Sequence, residues 1–204
     1  MTLLTKNAKR FKQETDEHIK ADQVEAGSYK SCFIGCHANY KDNPQFIEYA
    51  YGIPLMVTGI AESIFERISY HPDYTEVDFF REFAAVFEDG KDLTRVPWKF
   101  LVSELKTLDQ TPEVATVVQG LNKLASGTYW ASSEAQKAAI ACDDCDVWSA
   151  SYAAEAAQVA AEEFFNTSDF ASYAVEFIVR DSKCSNDVVS LRQAQTFLTL
   201  IKEA

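Results

Sequence analysis

Glycine and proline are scarce, at 7 and 5 of 204 residues. Folds built from strands spend these residues on many tight turns, so the shortage excludes an all-β protein. Long apolar runs are missing too. The longest uncharged stretch, Tyr49 to Ala61, is 13 residues and contains Pro54 and Gly59. A membrane-spanning helix needs about 18–20, so no membrane contact is expected. The opening Met1-Thr2-Leu3-Leu4 turns charged at Lys6, Lys9 and Arg10, the wrong order for a signal peptide. There is no Gly-rich phosphate loop, no G-x-S-x-G, no H-E-x-x-H and no basic patch interleaved with aromatics. P-loop nucleotide binding, serine-hydrolase and zincin chemistry lose their usual signatures.

Acid is what the chain has in excess. Lys and Arg number 19 against 31 Asp and Glu, a net charge of −12 with His neutral. Residues 1–41 hold 7 basic and 5 acidic side chains, and residues 42–204 hold 12 and 26. A surface this negative repels phosphate backbones and anionic lipid, which argues against direct nucleic-acid binding. It suits solubility or a basic partner. The five cysteines, an odd number, fit free thiols in a reducing cytoplasm.

The punctuation is helical. Gly27, Gly52, Gly90 and Gly127 stand where helical patterns stop, as left-handed residues just past a helix end do. Pro44, Pro54 and Pro112 stand where patterns start. Thr75-x-x-Asp78 and Ser133-x-x-Gln136 read as capping boxes, and Ser185-Asn186-Asp187 as a further N-cap. Helices are expected over 3–26, 44–51, 54–69, 76–88, 92–108, 112–125, 133–165, 168–181 and 187–203, with Pro97 at the true start of the fifth. The expectation is an all-α fold of eight to nine helices with one non-helical loop near 27–43. It forms a single globular domain, 1–204, with Leu108–Pro112 separating lobes 1–108 and 112–204.

Residues 131–161 are dominated by Ala, Ser and small polar side chains. Cys145, Trp148, Tyr152 and Val159 follow helical spacing and share a face of one long helix. Small residues around them admit a close neighbour, either inside the fold or on a partner.

One stripe carries chemistry. Leu4, Ala8, Phe11, Thr15, His18 and Asp22 recur at helical spacing, so an apolar face runs on into a His and an Asp four apart. Glu62 and Glu66 stand four apart on the helix after Pro54, whose core face is Met56, Ile60, Ile64 and Ile68. His18, Asp22, Glu62 and Glu66 together could hold Mg²⁺ or Mn²⁺, hard ions that accept carboxylate oxygen. All-α nucleotide pyrophosphohydrolases use such sets. Cys32-x-x-x-Cys36-His37 lies in the loop, and Cys142-x-x-Cys145 lies mid-helix. Four thiolates can bind structural zinc, while buried cysteines also serve as small apolar residues.

The stretch His18 to Leu93 resembles an uncharacterised family of bacterial and bacteriophage proteins. The matching elements are His18 and Asp22, Gly27 and Tyr29, and Cys32-Phe33-Ile34-Gly35-Cys36. They continue with Glu48, Gly52-Ile53-Pro54 and Ile64-Phe65-Glu66. An Ala- and Trp-rich helical second half, here 128–165, completes the likeness. The resemblance implies an all-helical fold and a ligand-binding cluster drawn from His18, Asp22, Tyr29, Cys32, Cys36, Glu48 and Glu66, but no reaction.

The leading expectation is a helical binding or regulatory protein of the cytoplasm, phage-encoded and in the host cytoplasm if the resemblance holds. It acts by protein or small-ligand contacts. A metal-dependent hydrolase acting on nucleotides is the alternative. An acidic nucleic-acid mimic is a third.

Overall fold

A computed structural model of the chain describes residues 3–24, 44–68, 71–161, 167–181 and 185–204. All regular structure among them is α-helical. The helices are α1 (Ala8–Lys20), α2 (Pro44–Tyr51), α3 (Leu55–Ile68), α4 (Glu76–Val86) and α5 (Val96–Leu105). They continue with α6 (Pro112–Ala125), α7 (Ser132–Asp143), α8 (Trp148–Ala161), α9 (Thr167–Asp181) and α10 (Asn186–Glu203). The all-α expectation holds, with ten helices among the described residues in place of eight to nine. The loop expected near 27–43 lies outside the described residues.

The extra helix comes from a break in the Ala-rich segment, which was expected as one rod over 133–165. Asp146 sits in the left-handed region, φ 58°. Its N–H bonds the Asp143 carbonyl at 3.0 Å, and the Val147 N–H bonds the Cys142 carbonyl at 2.9 Å. This paired 6→1 and 5→2 pattern closes a helix. The same closure ends α1 at Lys20, short of the expected 26. Asp22 has φ 54°, its N–H meets Ile19 O at 3.2 Å, and the Gln23 N–H meets His18 O at 3.0 Å. Gly127, φ 79°, does this conventionally after α6. An aspartate tolerates the left-handed region because its side chain is short and polar, yet it gives up part of what glycine offers there. Asp22→Gly is therefore expected to stabilise the chain by about 0.5–1 kcal/mol. Thermal unfolding beside the parent checks this, and a lowered melting temperature would show that the carboxylate has a structural partner.

Other signals read from sequence divide in the same way. The Thr75–Asp78 capping box is present in both directions. Thr111 caps α6 through the Val114 N–H, with Pro112 at its start, and Pro97 falls in the first turn of α5. The box at Ser133 does not form. α7 begins at Ser132 with Ala131 in the cap position. Gly52 and Gly90 take positive φ as expected, and Gly27 lies outside the described residues.

The chain divides into two compact units, Met1–Thr94 with Ser185–Ala204, and Arg95–Cys184. The turn at Leu108–Pro112 lies inside the second unit, between α5 and α6. In the first unit, α3 packs on α2, α4 and α10, and α1 packs on α4. The core is aromatic: Phe11, Tyr51, Phe65, Phe79, Phe80, Phe83, Phe87 and Phe197 are fully buried. Phe11 meets Tyr51 edge-on at 5.0 Å and Phe87 at 4.9 Å, and Phe83 stacks on Phe197 at 6.4 Å. Such pairs add directional preference to the burial of apolar area.

The extended residues before α1 are stitched to this core. The Thr5 N–H bonds Lys91 O at 2.9 Å, and the Gly90 N–H bonds Thr5 O at 2.8 Å. The Thr5 hydroxyl accepts from the Lys91 N–H at 2.8 Å and donates to Glu88 O. Asp89 accepts the Ala8 N–H at 2.7 Å, serving the start of α1. Lys91 Nζ donates to the carbonyls of Ile201 and Lys202 at 2.9 and 2.7 Å, placing a cation on the negative end of α10.

In the second unit α8 packs on α5, α6, α7 and α9. Ser149, Ala150, Ser151, Ala153, Ala154, Ala156 and Ala157 are all buried, so small side chains line most of its circumference and neighbouring backbones come close. Asp181 fixes the start of α8, accepting from the Ser149 N–H at 2.8 Å and hydroxyl at 2.6 Å. The Ala-rich segment is an internal packing element of this unit.

Candidate functional site

A concavity lies between α6 and α7, with a volume of about 460 Å³ and a mostly apolar lining. On α6, Glu113, Thr116, Gly120 and Lys123 are three, four and three apart and share one helical face. On α7, Glu134, Lys137, Ala138 and Ala141 stand at i, i+3, i+4 and i+7 and also share a face. All eight line the groove. Trp130, in the connection between the helices, is 3% exposed and contributes to the floor.

The floor exists because Gly120 has no side chain. A Cβ at that position would stand 2.2 Å from the Trp130 ring. The indole therefore lies against the bare backbone of α6, and the two helices come closer than bulkier residues would permit. The rim carries both signs of charge. Lys123 Nζ stands 3.7 Å from Glu134 Oε2, with both side chains about half exposed. A pair so exposed contributes little to stability and can exchange partners at small cost. Chemically, the arrangement offers an apolar bed flanked by carboxylates and ammonium groups.

The residues expected from sequence to form a site are distributed differently. His18 is partly exposed in the last turn of α1, with Nδ1 3.1 Å from the Gln23 side-chain oxygen. Asp22 is exposed beyond the helix end, so the stripe through Phe11 and Thr15 does not carry on into a shared His–Asp face. Glu48 is half-buried on α2, and Glu62 and Glu66 are half-buried on α3. The predicted core face of α3, Met56, Ile60, Ile64 and Ile68, is buried in full. Tyr29, Cys32 and Cys36 lie outside the described residues. Among the described residues no group of three or more His, Cys, Asp or Glu is placed to hold a metal ion. His18, Asp22, Glu62 and Glu66 are thus not gathered into such a group.

Cys142 and Cys145, expected mid-helix, straddle the end of α7 instead, and both are free thiols. Burial pushes the Cys142 thiol up to about 12. It stays protonated at neutral pH and is neither nucleophile nor zinc ligand in that state. Among the described residues no helix is long and apolar enough to cross a membrane.

The groove is not legible in the sequence because its glutamates and lysines fall in no catalytic or ligand-binding motif. The signal was the double helical spacing at 113–123 and 134–141, joined by a turn holding a tryptophan. Fold and groove define a chain whose described residues are all-α, in two units with an amphipathic cleft in the second. No protein-family model matches the chain, and neither a curated protein nor a solved structure matches it.

Proposed function

We propose that this is a helical binding protein whose second unit takes a small zwitterionic ligand, about the size of a dipeptide, in the α6–α7 groove. The observation that carries this reading is the Trp130 floor flanked by Glu113 and Glu134 on one hand and Lys123 and Lys137 on the other. Pockets for small molecules combine an apolar surface with a few convergent polar groups in volumes of roughly 300–1,000 Å³. A ligand carrying both an ammonium and a carboxylate would meet opposite charges on the rim while its apolar part covers the indole. With the resemblance over 18–93, the chain is a binding or regulatory protein of a bacterial or phage-infected cytoplasm. The free thiols of Cys142 and Cys145 are in keeping with that compartment.

Amide and indole NMR spectra recorded while adding zwitterionic dipeptides test the reading. Shifts should concentrate on Gly120, the Trp130 indole N–H and Ala138. A ligand held by about 4 kcal/mol binds with a Kd near 1 mM, so about 10 mM saturates most of the protein. No movement of those resonances at that concentration would overturn the assignment.

A further inference from the structure

A second cavity, about 250 Å³, lies between α7 and α8. Its walls include the aromatic rings of Trp148 and Tyr152, and its lining carboxylates are Asp143 and Glu155. None of its lining residues is basic. We propose that this cavity binds an organic cation, a primary or methylated ammonium, by the faces of Trp148 and Tyr152 together with the carboxylates of Asp143 and Glu155.

The rings are held in place by aromatic side chains of α9. Tyr152 meets Phe177 at 5.2 Å, Tyr173 at 5.4 Å and Phe170 at 6.4 Å, and Trp148 meets Phe177 at 6.3 Å. Asp181 pins the start of α8 one residue after Trp148. Both rings are therefore positioned before any ligand arrives, which spares the cost of ordering them. An ammonium over an aromatic face is attracted by the ring quadrupole, most strongly by tryptophan and where water is partly excluded. Trp148, Tyr152 and Glu155 are all half-buried. Burial first, and the nearby Asp143 charge second, hold the Glu155 carboxyl above its ordinary range. A bound cation offsets both by favouring the charged carboxylate, while an anion would add to the repulsion. Buried Ala139 and Ser151 and the exposed Ile140 leave room for a short alkyl stem but offer no positive partner for a carboxylate. This separates the cavity from the α6–α7 groove, whose rim carries two lysines.

The test uses the full chain with n-butylammonium and tetramethylammonium chloride. n-Butanol and sodium chloride at equal concentration are the controls. The Trp148 indole N–H should shift with both organic cations and stay in place with both controls. Asp143→Asn and Glu155→Gln should each weaken binding about tenfold. Neither removes an apolar contact, and Glu155→Gln should hold or raise the melting temperature, so a lost fold will not imitate lost binding. Equal response to n-butanol, or unchanged affinity in both variants, would overturn the proposal. The Trp130 indole reports the α6–α7 groove, so failure at one site is read separately from failure at the other.

Discussion

Gly52→Ala should unfold the chain at a temperature roughly 8–16 °C below the parent, corresponding to a loss of about 4 kcal/mol. Two effects add. Gly52 has φ 68°, where an L side chain is strained, at a cost of about 1–2 kcal/mol. In addition, a Cβ there would stand 2.1 Å from the Leu4 carbonyl oxygen and 3.1 Å from the Thr5 Cα. These are backbone atoms, and rotating a side chain cannot relieve the overlap. Nor can the backbone withdraw freely. Thr5 is bonded to Lys91 and Gly90, and Lys6 to Tyr51, whose carbonyl accepts the Lys6 N–H at 2.8 Å. The substitution must either bend the turn after α2 or peel residues 3–7 from the core.

Gly90→Ala separates the two contributions. Gly90 has φ 83°, but a Cβ there meets nothing within 4 Å. It should lose only the conformational part, about 1–2 kcal/mol. Calorimetry of both variants gives the difference. Hydrogen exchange at the Thr5, Lys6 and Gly90 amides should speed up in Gly52→Ala well beyond Gly90→Ala. Equal melting temperatures in the two would mean that the Leu4–Gly52 approach carries no stability.

That clamp shows where a sequence stops being informative. The stripe beginning at Leu4 reads as helix, yet Leu4 is 48% exposed and Thr5 is 3% exposed. A buried threonine making four backbone-directed bonds leaves no periodicity, because its partners at 88–91 are distant in the chain. Helix starts were more legible than ends. Thr75 and Thr111 announce α4 and α6 by side chains whose hydrogen bonds are local and specific to residue type. The ends of α1 and α7 rest on Asp22 and Asp146 in a conformation usually assigned to glycine, so no glycine marks either end. The four-residue spacing of His18 and Asp22 suggests a pair, whereas Asp22 turns the chain out of the helix. The core face of α3 was legible because four isoleucine and methionine positions repeat at one spacing. The groove between α6 and α7 was not, because its defining feature is an absent side chain at Gly120, which carries meaning only once Trp130 is known to lie against it.

Gly120→Ala should therefore act on stability and binding together. The added methyl would sit 2.2–2.4 Å from three carbons of the Trp130 ring. Trp130 is almost fully buried, so its indole must shift or α6 and α7 must separate. Overpacking of this kind costs about 1–3 kcal/mol, or a melting temperature lower by roughly 2–12 °C. Both responses alter the groove floor, and dipeptide affinity should fall at least tenfold. Thr116→Ala is the control. Thr116 lines the same groove but is exposed, and its loss should leave melting within about 1–2 °C, as surface substitutions do. The cause is checked by pairing Gly120→Ala with Trp130→Leu. If the clash is with the indole, the two costs will fall short of additivity, since the smaller side chain makes room for the methyl. Strict additivity would place the strain elsewhere in α6. An unchanged melting temperature in Gly120→Ala alone would mean that the indole yields freely, and the preformed apolar bed on which the binding proposal rests would be lost.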